Sequence, residues 1–240
     1  MPEQLPLQFE FRSNKTFADF FPAANQEVVT HLQQCIHGQG EQQILILGDS
    51  GLGKSHLLQA CCHLACQQGS SPFYYELSSE HLNDIEVFNG IENYDVVCID
   101  NIDCIAGQQD WELAFFRFFN QQRQFNHRLV ISAQCLPNQL AFSLPDLTSR
   151  LNWGLTLKLS PLSEQDVIAA LIFKASRMGF DISPSAGEFL LQHYQRNLQS
   201  LWDLLDTLDR ATLVAQRKLT RTFLKEILDT QKSVSISIQK

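Results

Sequence analysis

Five short, largely apolar runs punctuate the first two thirds of the chain: Ile44–Leu47, Phe73–Leu77, Asp95–Asp100, Arg128–Ser132 and Leu155–Leu159. Such runs predict strands, and the unbroken one ending at Asp100 predicts a strand buried on both faces of a parallel sheet. Between them, three- and four-residue apolar spacings predict helices over Ala23–His37, from His56 to about Gln68, and over Asp110–Phe125. A shorter helix is predicted over Asn83–Phe88. In the helix from Asp110, the spacing of Trp111, Phe115, Phe116, Phe118, Phe119 and Phe125 favours core packing over a stacking platform.

The pattern changes at Ser160-Pro161-Leu162-Ser163, and beyond it only helices are predicted. The first starts at a capping-box-like Ser163-x-x-Asp166 and ends at Gly179. Others fit Pro184–Tyr194, Leu198–Gln216 and Thr220–Asp229. The expected organisation is an extended tail over residues 1–15, an α/β domain over 16–160 and a helical domain over 161–240.

The candidate chemistry centres on Gly48-Asp49-Ser50-Gly51-Leu52-Gly53-Lys54-Ser55, a complete G-x-x-x-x-G-K-[ST] between a strand and a helix that continues at His56. Glycines allow the tight turn and the close approach of backbone to phosphate, so successive N–H groups can face an anion. Lys54 is placed to reach the outer phosphates and Ser55 to ligate Mg²⁺. Asp100 ends an apolar strand, where ligands bind in a parallel sheet, and fits an acid supporting Mg²⁺. Asn101 follows it, and an amide cannot accept a proton as a base, so slow intrinsic hydrolysis is expected. Asp103 is the nearest other acid, with no geometry that aims it at the phosphate. Ser132, Ala133 and Gln134 end the fourth strand, either sensing a γ-phosphate or simply leaving the sheet. Phe17, Phe20 and Phe21 either line a base pocket or join the core.

Composition narrows the classes. The 240 residues are 44% apolar and 18% charged, enough to bury a core, and the net charge is −8 without a basic cluster. That argues against an autonomous DNA-binding surface. No run reaches membrane-span length and the N-terminus lacks signal-peptide blocks, so a cytoplasmic protein without a membrane partner is expected. The seven cysteines form no C-x-x-C pair and read as small buried hydrophobes. In the tail, Leu5, Leu7 and Phe9 either pack on their own domain or dock in a partner's pocket.

The phosphate loop, the acid-ending strand, an arginine after the fourth strand and a helical C-terminal part resemble the AAA+ ATPases. Ser149-Arg150-Leu151-Asn152-Trp153-Gly154-Leu155 is similar to the arginine-finger segment of the bacterial replication initiator DnaA. The helices after Pro161 resemble its lid. No helix-turn-helix domain like the one that follows in DnaA is expected, and in this the chain resembles the DnaA-homologous regulatory inactivators. Gln4-Leu5-x-Leu7-x-Phe9 is similar to the motif that binds the DNA polymerase sliding clamp (the β subunit). Three departures stand out: Asn101 replaces a second acid, Gln134 a sensor acid, and Gln199 the sensor arginine of the lid, with Arg196 one turn earlier as an alternative.

The resemblance implies a protein that holds ADP (or ATP) with Mg²⁺ through Phe20, Gly48–His56, Asp100, Asn101, Gln134 and Gln199, with little or no ATPase of its own. It implies clamp docking through Gln4, Leu5, Leu7 and Phe9, and hydrolysis of DnaA-bound ATP stimulated by Arg150 in trans. DNA is met only indirectly, and a homodimer is left open. Rival readings are a helicase loader or clamp-loader-like ATPase, a small-molecule kinase, and a pure adaptor.

Overall fold

The computed structural model describes residues 15–78, 85–193 and 198–215. Its regular elements in chain order begin with α1 (Gln26–Ile36), β1 (Gln43–Leu47), α2 (Lys54–Gln67), β2 (Pro72–Glu76) and β3 (Val96–Asp100). They continue with α3 (Gln109–Gln122), β4 (Arg128–Ala133), α4 (Pro145–Leu151) and β5 (Leu155–Lys158). The helices α5 (Glu164–Met178), α6 (Pro184–His193) and α7 (Leu198–Ala215) follow. The chain divides into two compact units, Met1–Ser160 and Pro161–Lys240.

The strands form one sheet in the order β2-β3-β4-β1-β5, with every neighbouring pair parallel. All residues of β1 and β3 are buried, which is why these strands read as continuous apolar runs. Alternate side chains serve two cores. Leu45, Leu47, Val97, Ile99, Leu129 and Ile131 meet the aromatics of α3 on one face. Ile44, Ile46, Val96, Cys98 and Val130 meet α1 and α2 on the other. Each fully buried Leu or Ile contributes about 1.5–3 kcal/mol, so a register slip of one residue would exchange the two cores and is excluded.

Several expectations shift. The first helix starts at Gln26, because Ala23–Asn25 form a 3-10 turn whose Asn25 side chain bonds both ways with Ser160: Nδ2 donates to Ser160 O (3.0 Å) and Oδ1 accepts Ser160 N–H (2.7 Å). The predicted helix at Asn83–Phe88 is a 3-10 turn at Ile85–Phe88, with residues 79–84 outside the described residues. The aromatic helix ends at Gln122, so Phe125 is exposed rather than core; Trp111, Phe115, Phe118 and Phe119 are buried, and Phe116 packs half-buried against them. Among the cysteines, Cys66 is exposed and Cys104 and Cys135 are partly so, correcting the reading of all seven as buried. Burial does hold the thiols of Cys61 and Cys62 well above their ordinary pKa.

In the second unit, α5 opens on a capping box. Ser163 Oγ accepts the Asp166 N–H, and Asp166 Oδ2 accepts the Ser163 N–H, each at 3.2 Å. Gly179 ends the helix in the left-handed conformation, φ 92°. Leu171, Leu190, Leu201 and Leu205 form its core. The helix expected over Thr220–Asp229 lies outside the described residues. Among the described residues, no helix is long and apolar enough to cross a membrane.

Gly154, just ahead of β5, needs glycine twice over: its φ is 76°, and a Cβ would lie 2.4 Å from the Gln43 carbonyl oxygen. Gly40 has the same φ sign with open space around it. Gly40→Ala should therefore cost about 1 kcal/mol from the backbone alone, and Gly154→Ala about 3 kcal/mol or more. Urea denaturation of both variants checks this; equal losses would remove the steric argument.

Candidate functional site

The phosphate-loop motif follows the carboxyl end of β1, where the Gly48 N–H donates to Ala133 O (3.2 Å) at the matching end of β4. The loop turns on Gly51 (φ 82°) and Gly53 (φ 95°) and runs into the first turn of α2. A Cβ at Gly53 would lie 2.8 Å from the Phe20 ring. Phe20 thus closes on the loop; its ring also tilts against His56 with centroids 5.5 Å apart, and His56 Nε2 lies 2.8 Å from Thr16 O. Phe17 and Phe20 both pack against the α1–α2 core, so Phe20 serves the core and borders the loop at once.

Within the loop Asp49, Ser50 and Gly51 are exposed, Leu52, Gly53 and Ser55 half-buried and Lys54 buried. The Lys54 ammonium donates to Gly48 O (2.6 Å) and Asp49 O (2.9 Å). Burial pulls its pKa below the ordinary value, and the carboxylates of Asp100, Asp103 and Asp49 oppose that pull. A desolvated ammonium bonded only to loop carbonyls can exchange them for phosphate oxygens, which make the stronger, charge-assisted bond.

Asp100 is fully buried at the end of β3. Tyr74 Oη donates to its Oδ2 (2.9 Å), and Ser132 Oγ donates to its Oδ1. Burial, reinforced by the Asp100 charge, pushes the Tyr74 phenol up, so it remains a donor. Ser132 Oγ also accepts the Asn101 N–H (2.9 Å). Ser132, completely buried, therefore anchors Asp100 instead of projecting as a sensor. Gln134 is exposed, and its N–H donates to Asp103 Oδ1 (3.0 Å). Asn101 adopts φ 58°, and its Nδ2 approaches Leu77 O at 3.5 Å.

The sheet thus brings together Gly48–Ser55, Asp100, Asn101 and the start of the Gln134 loop. Sequence reasoning missed Tyr74, whose contact with Asp100 needs β2 beside β3, and set aside Asp103, which lies close enough to act on Lys54. The Gln199 backbone belongs to α7, its side chain is outside the described residues, and so are Arg196 and the tail residues Gln4, Leu5, Leu7 and Phe9.

Arg150 lies elsewhere. It sits in the last turn of α4, where Gln43 Nε2 donates to Arg150 O (3.1 Å) and Leu151 O (3.3 Å). Gln43 begins β1, whereas the phosphate loop follows its end. At about 3.3 Å per residue the two sites are roughly 16 Å apart, beyond the reach of an arginine side chain. The Arg150 guanidinium rests 4.5 Å from the centroid of the Trp153 ring, which also carries Arg123 at 3.8 Å. Each such contact contributes about 0.5–1 kcal/mol at an exposed site. A cavity of about 330 Å³ opens at this same amino edge of the sheet, lined by Arg123 and Trp153 together with Gln43, Phe119 and Gly154 among others.

A model of the bacterial DnaA ATPase domain matches residues 11–158, and a model of the lid domain of Hda matches residues 164–228. The chain belongs to the bacterial DnaA ATPase-domain family. It is a DnaA-related AAA+ protein whose C-terminal unit is of the Hda lid type. Among solved structures it is similar to domain III of the Thermotoga maritima initiation protein DnaA (19% identity, 91% of this chain and 97% of that one, TM-score 0.75). AMPPCP-bound DnaA from Aquifex aeolicus is similar over 83% of this chain and 66% of that one (20% identity, TM-score 0.68). The Thermotoga maritima RuvB branch migration motor shares the fold at 16% identity, over 92% and 73%, with a TM-score of 0.67.

The anchoring of Asp100 is testable without a ligand. Ser132→Ala removes one donor from a buried carboxylate and strands the Asn101 N–H. Stability should fall by about 1–3 kcal/mol, read from the urea midpoint. No change would mean that Ser132 does not hold the acid.

Proposed function

We propose that this DnaA-related protein regulates replication initiation by stimulating hydrolysis of the ATP held by DnaA, while itself holding ADP. The observation that carries the reading is the placement of Arg150 at the opposite end of the sheet from its own phosphate loop. From there it serves only a nucleotide held by another molecule.

The residues of the chain's own site fit a nucleotide with Mg²⁺. The left-handed Gly51 and Gly53 leave the loop backbone open to an anion, and the desolvated Lys54 is ready to exchange carbonyl for phosphate oxygens. Gly48–Ser55 would hold the phosphates, with Phe20 and His56 beside the loop. Ser55 and Asp100 would hold Mg²⁺, whose chemistry is to neutralise phosphate charge. Because Tyr74 and Ser132 already occupy both Asp100 oxygens, the acid suits an outer-sphere role through water. Asn101, next to Asp100, has no proton-accepting group. The cradle therefore retains nucleotide without turning it over, and ADP suits it as a structural ligand.

In the partner's site Arg150 would neutralise the charge that builds on the transferring phosphoryl oxygens. Its guanidinium offers a planar fork of donors to phosphate. An arginine supplied in trans can raise the rate by roughly 10³–10⁵. The tail residues Gln4, Leu5, Leu7 and Phe9 would bring the chain to the sliding clamp on DNA, so that stimulation occurs where replication has begun.

The test is single-turnover hydrolysis of ATP preloaded on DnaA, with this protein, ADP and DNA-loaded clamp. Clamp-dependent acceleration is expected. Arg150→Ala should abolish it and leave ADP affinity unchanged. Substituting Leu5 and Phe9 with alanine should remove the clamp dependence alone. Acceleration that survives Arg150→Ala would overturn the finger and favour an adaptor; robust turnover without DnaA would favour a self-sufficient ATPase.

A further inference from the structure

The exposed Trp153 ring carries two guanidinium groups, Arg150 at 4.5 Å and Arg123 at 3.8 Å from its centroid. Phe116 lies farther from Arg150, at 6.0 Å. Among the described residues neither arginine forms an ion pair with a carboxylate. We propose that Trp153 is a positioning residue for Arg150, and that Arg123 makes its hold releasable. This rests on the finger role assigned to Arg150 above.

The argument is one of competing strengths. An arginine meant to enter another molecule's site has to be ordered beforehand, or its side-chain entropy is lost on docking. A carboxylate partner would order it, but that bond would then have to be broken against a phosphate. The face of an indole orders a guanidinium with a weaker, less directional attraction that phosphate oxygens outcompete. Arg123 weakens the hold further. Both cations lie on one ring, within about one screening length of ~8–10 Å, and repel each other.

Arg123 stays behind for a structural reason. It caps the C-terminal end of the fourteen-residue α3, where the free carbonyls favour a cation. It also makes the closer stack on Trp153. The backbone next to Trp153 is tightly placed, since the chain leaves α4 through Gly154, whose packing on Gln43 admits no side chain. Trp153 is 42% exposed, and it stands with Arg123 and Arg150 at the amino edge of the sheet. Movement of Arg150 toward a docked partner therefore requires no change in the fold.

Two readouts test this, the first of them independent of the function itself. The chain has three tryptophans, so the full-length protein labelled with 5-fluorotryptophan gives three fluorine resonances. Trp153→Phe identifies the one from Trp153. Arg150→Ala in the free protein should shift that resonance, and no shift would overturn the hold. In single turnovers of ATP preloaded on DnaA and stimulated by this protein, Trp153→Leu should lower the maximal rate about tenfold with little change in the half-saturating concentration. Trp153→Phe, which keeps an aromatic face, should return it to within about threefold of wild type. Arg123→Glu should pair with Arg150 and trap it, lowering the rate at low salt and recovering as salt is raised. Unchanged urea midpoints would show that the fold is intact in each variant. If wild type stimulates and Arg150→Ala does not, yet Trp153→Leu matches wild type, the proposal fails and the finger stands. A Trp153→Phe variant as slow as Trp153→Leu overturns it too. If wild type itself does not stimulate, the functional reading fails, whatever the fluorine spectra show.

Discussion

A parallel sheet has two unlike ends, and that asymmetry governs this protein. Every strand enters at one edge and leaves at the other, so the residues that follow strands gather on one side. Here these are the phosphate loop after β1, Asp100 ending β3 and the Gln134 turn after β4. Residues that precede strands gather on the other side, among them Gln43, Gly154 and Arg150. The side-chain bond from Gln43 to the Arg150 carbonyl ties the arginine's segment to the start of the same strand whose end opens the phosphate loop. On the proposed reading, the group that holds a nucleotide and the group that acts on one are therefore kept apart by the length of a strand. Only a second molecule can bring such groups together.

The buried carboxylate sets the second constraint. A buried acid without compensation costs several kcal/mol, whereas a hydrogen bond to a charged group contributes about 1.5–3 kcal/mol. Tyr74 and Ser132 supply two such bonds to Asp100, one from each neighbouring strand. The acid thus comes with its own scaffold, and Ser132 extends it by taking the Asn101 N–H. Asn101 is held in the left-handed region that asparagine tolerates better than most residues. Asp100 is thus firmly held, with an amide rather than a second carboxylate next to it in the chain. Asp103 remains close enough for its charge to act on Lys54, but its Oδ1 is engaged by the Gln134 N–H.

What was legible in the sequence was what is local in the chain. The five strands, the capping box at Ser163 and the phosphate loop are runs of consecutive residues, and their chemistry follows from spacing. The aromatic helix was legible as core except at Phe125, which lies beyond its end, while Phe116 packs against the core half-buried. The tyrosine under Asp100 was not legible, because Tyr74 and Asp100 are brought together only by the pairing of β2 with β3. The same holds for Arg123, thirty residues before Trp153 and stacked on it only through the approach of α3 to the segment before β5. Ser132 was visible as a polar residue at a strand end; that its hydroxyl faces Asp100 depends on β4 lying beside β3.

Charge explains why such a protein would need a tether. With a net charge of −8, the chain does not draw a nucleotide-bearing partner from a distance. Its attractive groups, Arg123 and Arg150, act over short range and are screened within about 8–10 Å in physiological or slightly lower salt. On the proposed reading, recognition through them would begin only once the partner is already near. A tail docked on a clamp that is itself on DNA would replace steering by confinement, with an effective concentration that can reach the millimolar range for a short flexible link. On the proposed reading, the weakness of the indole's hold on Arg150 would then be an advantage, since confinement would supply proximity and the arginine would have only to choose between a π face and a phosphate.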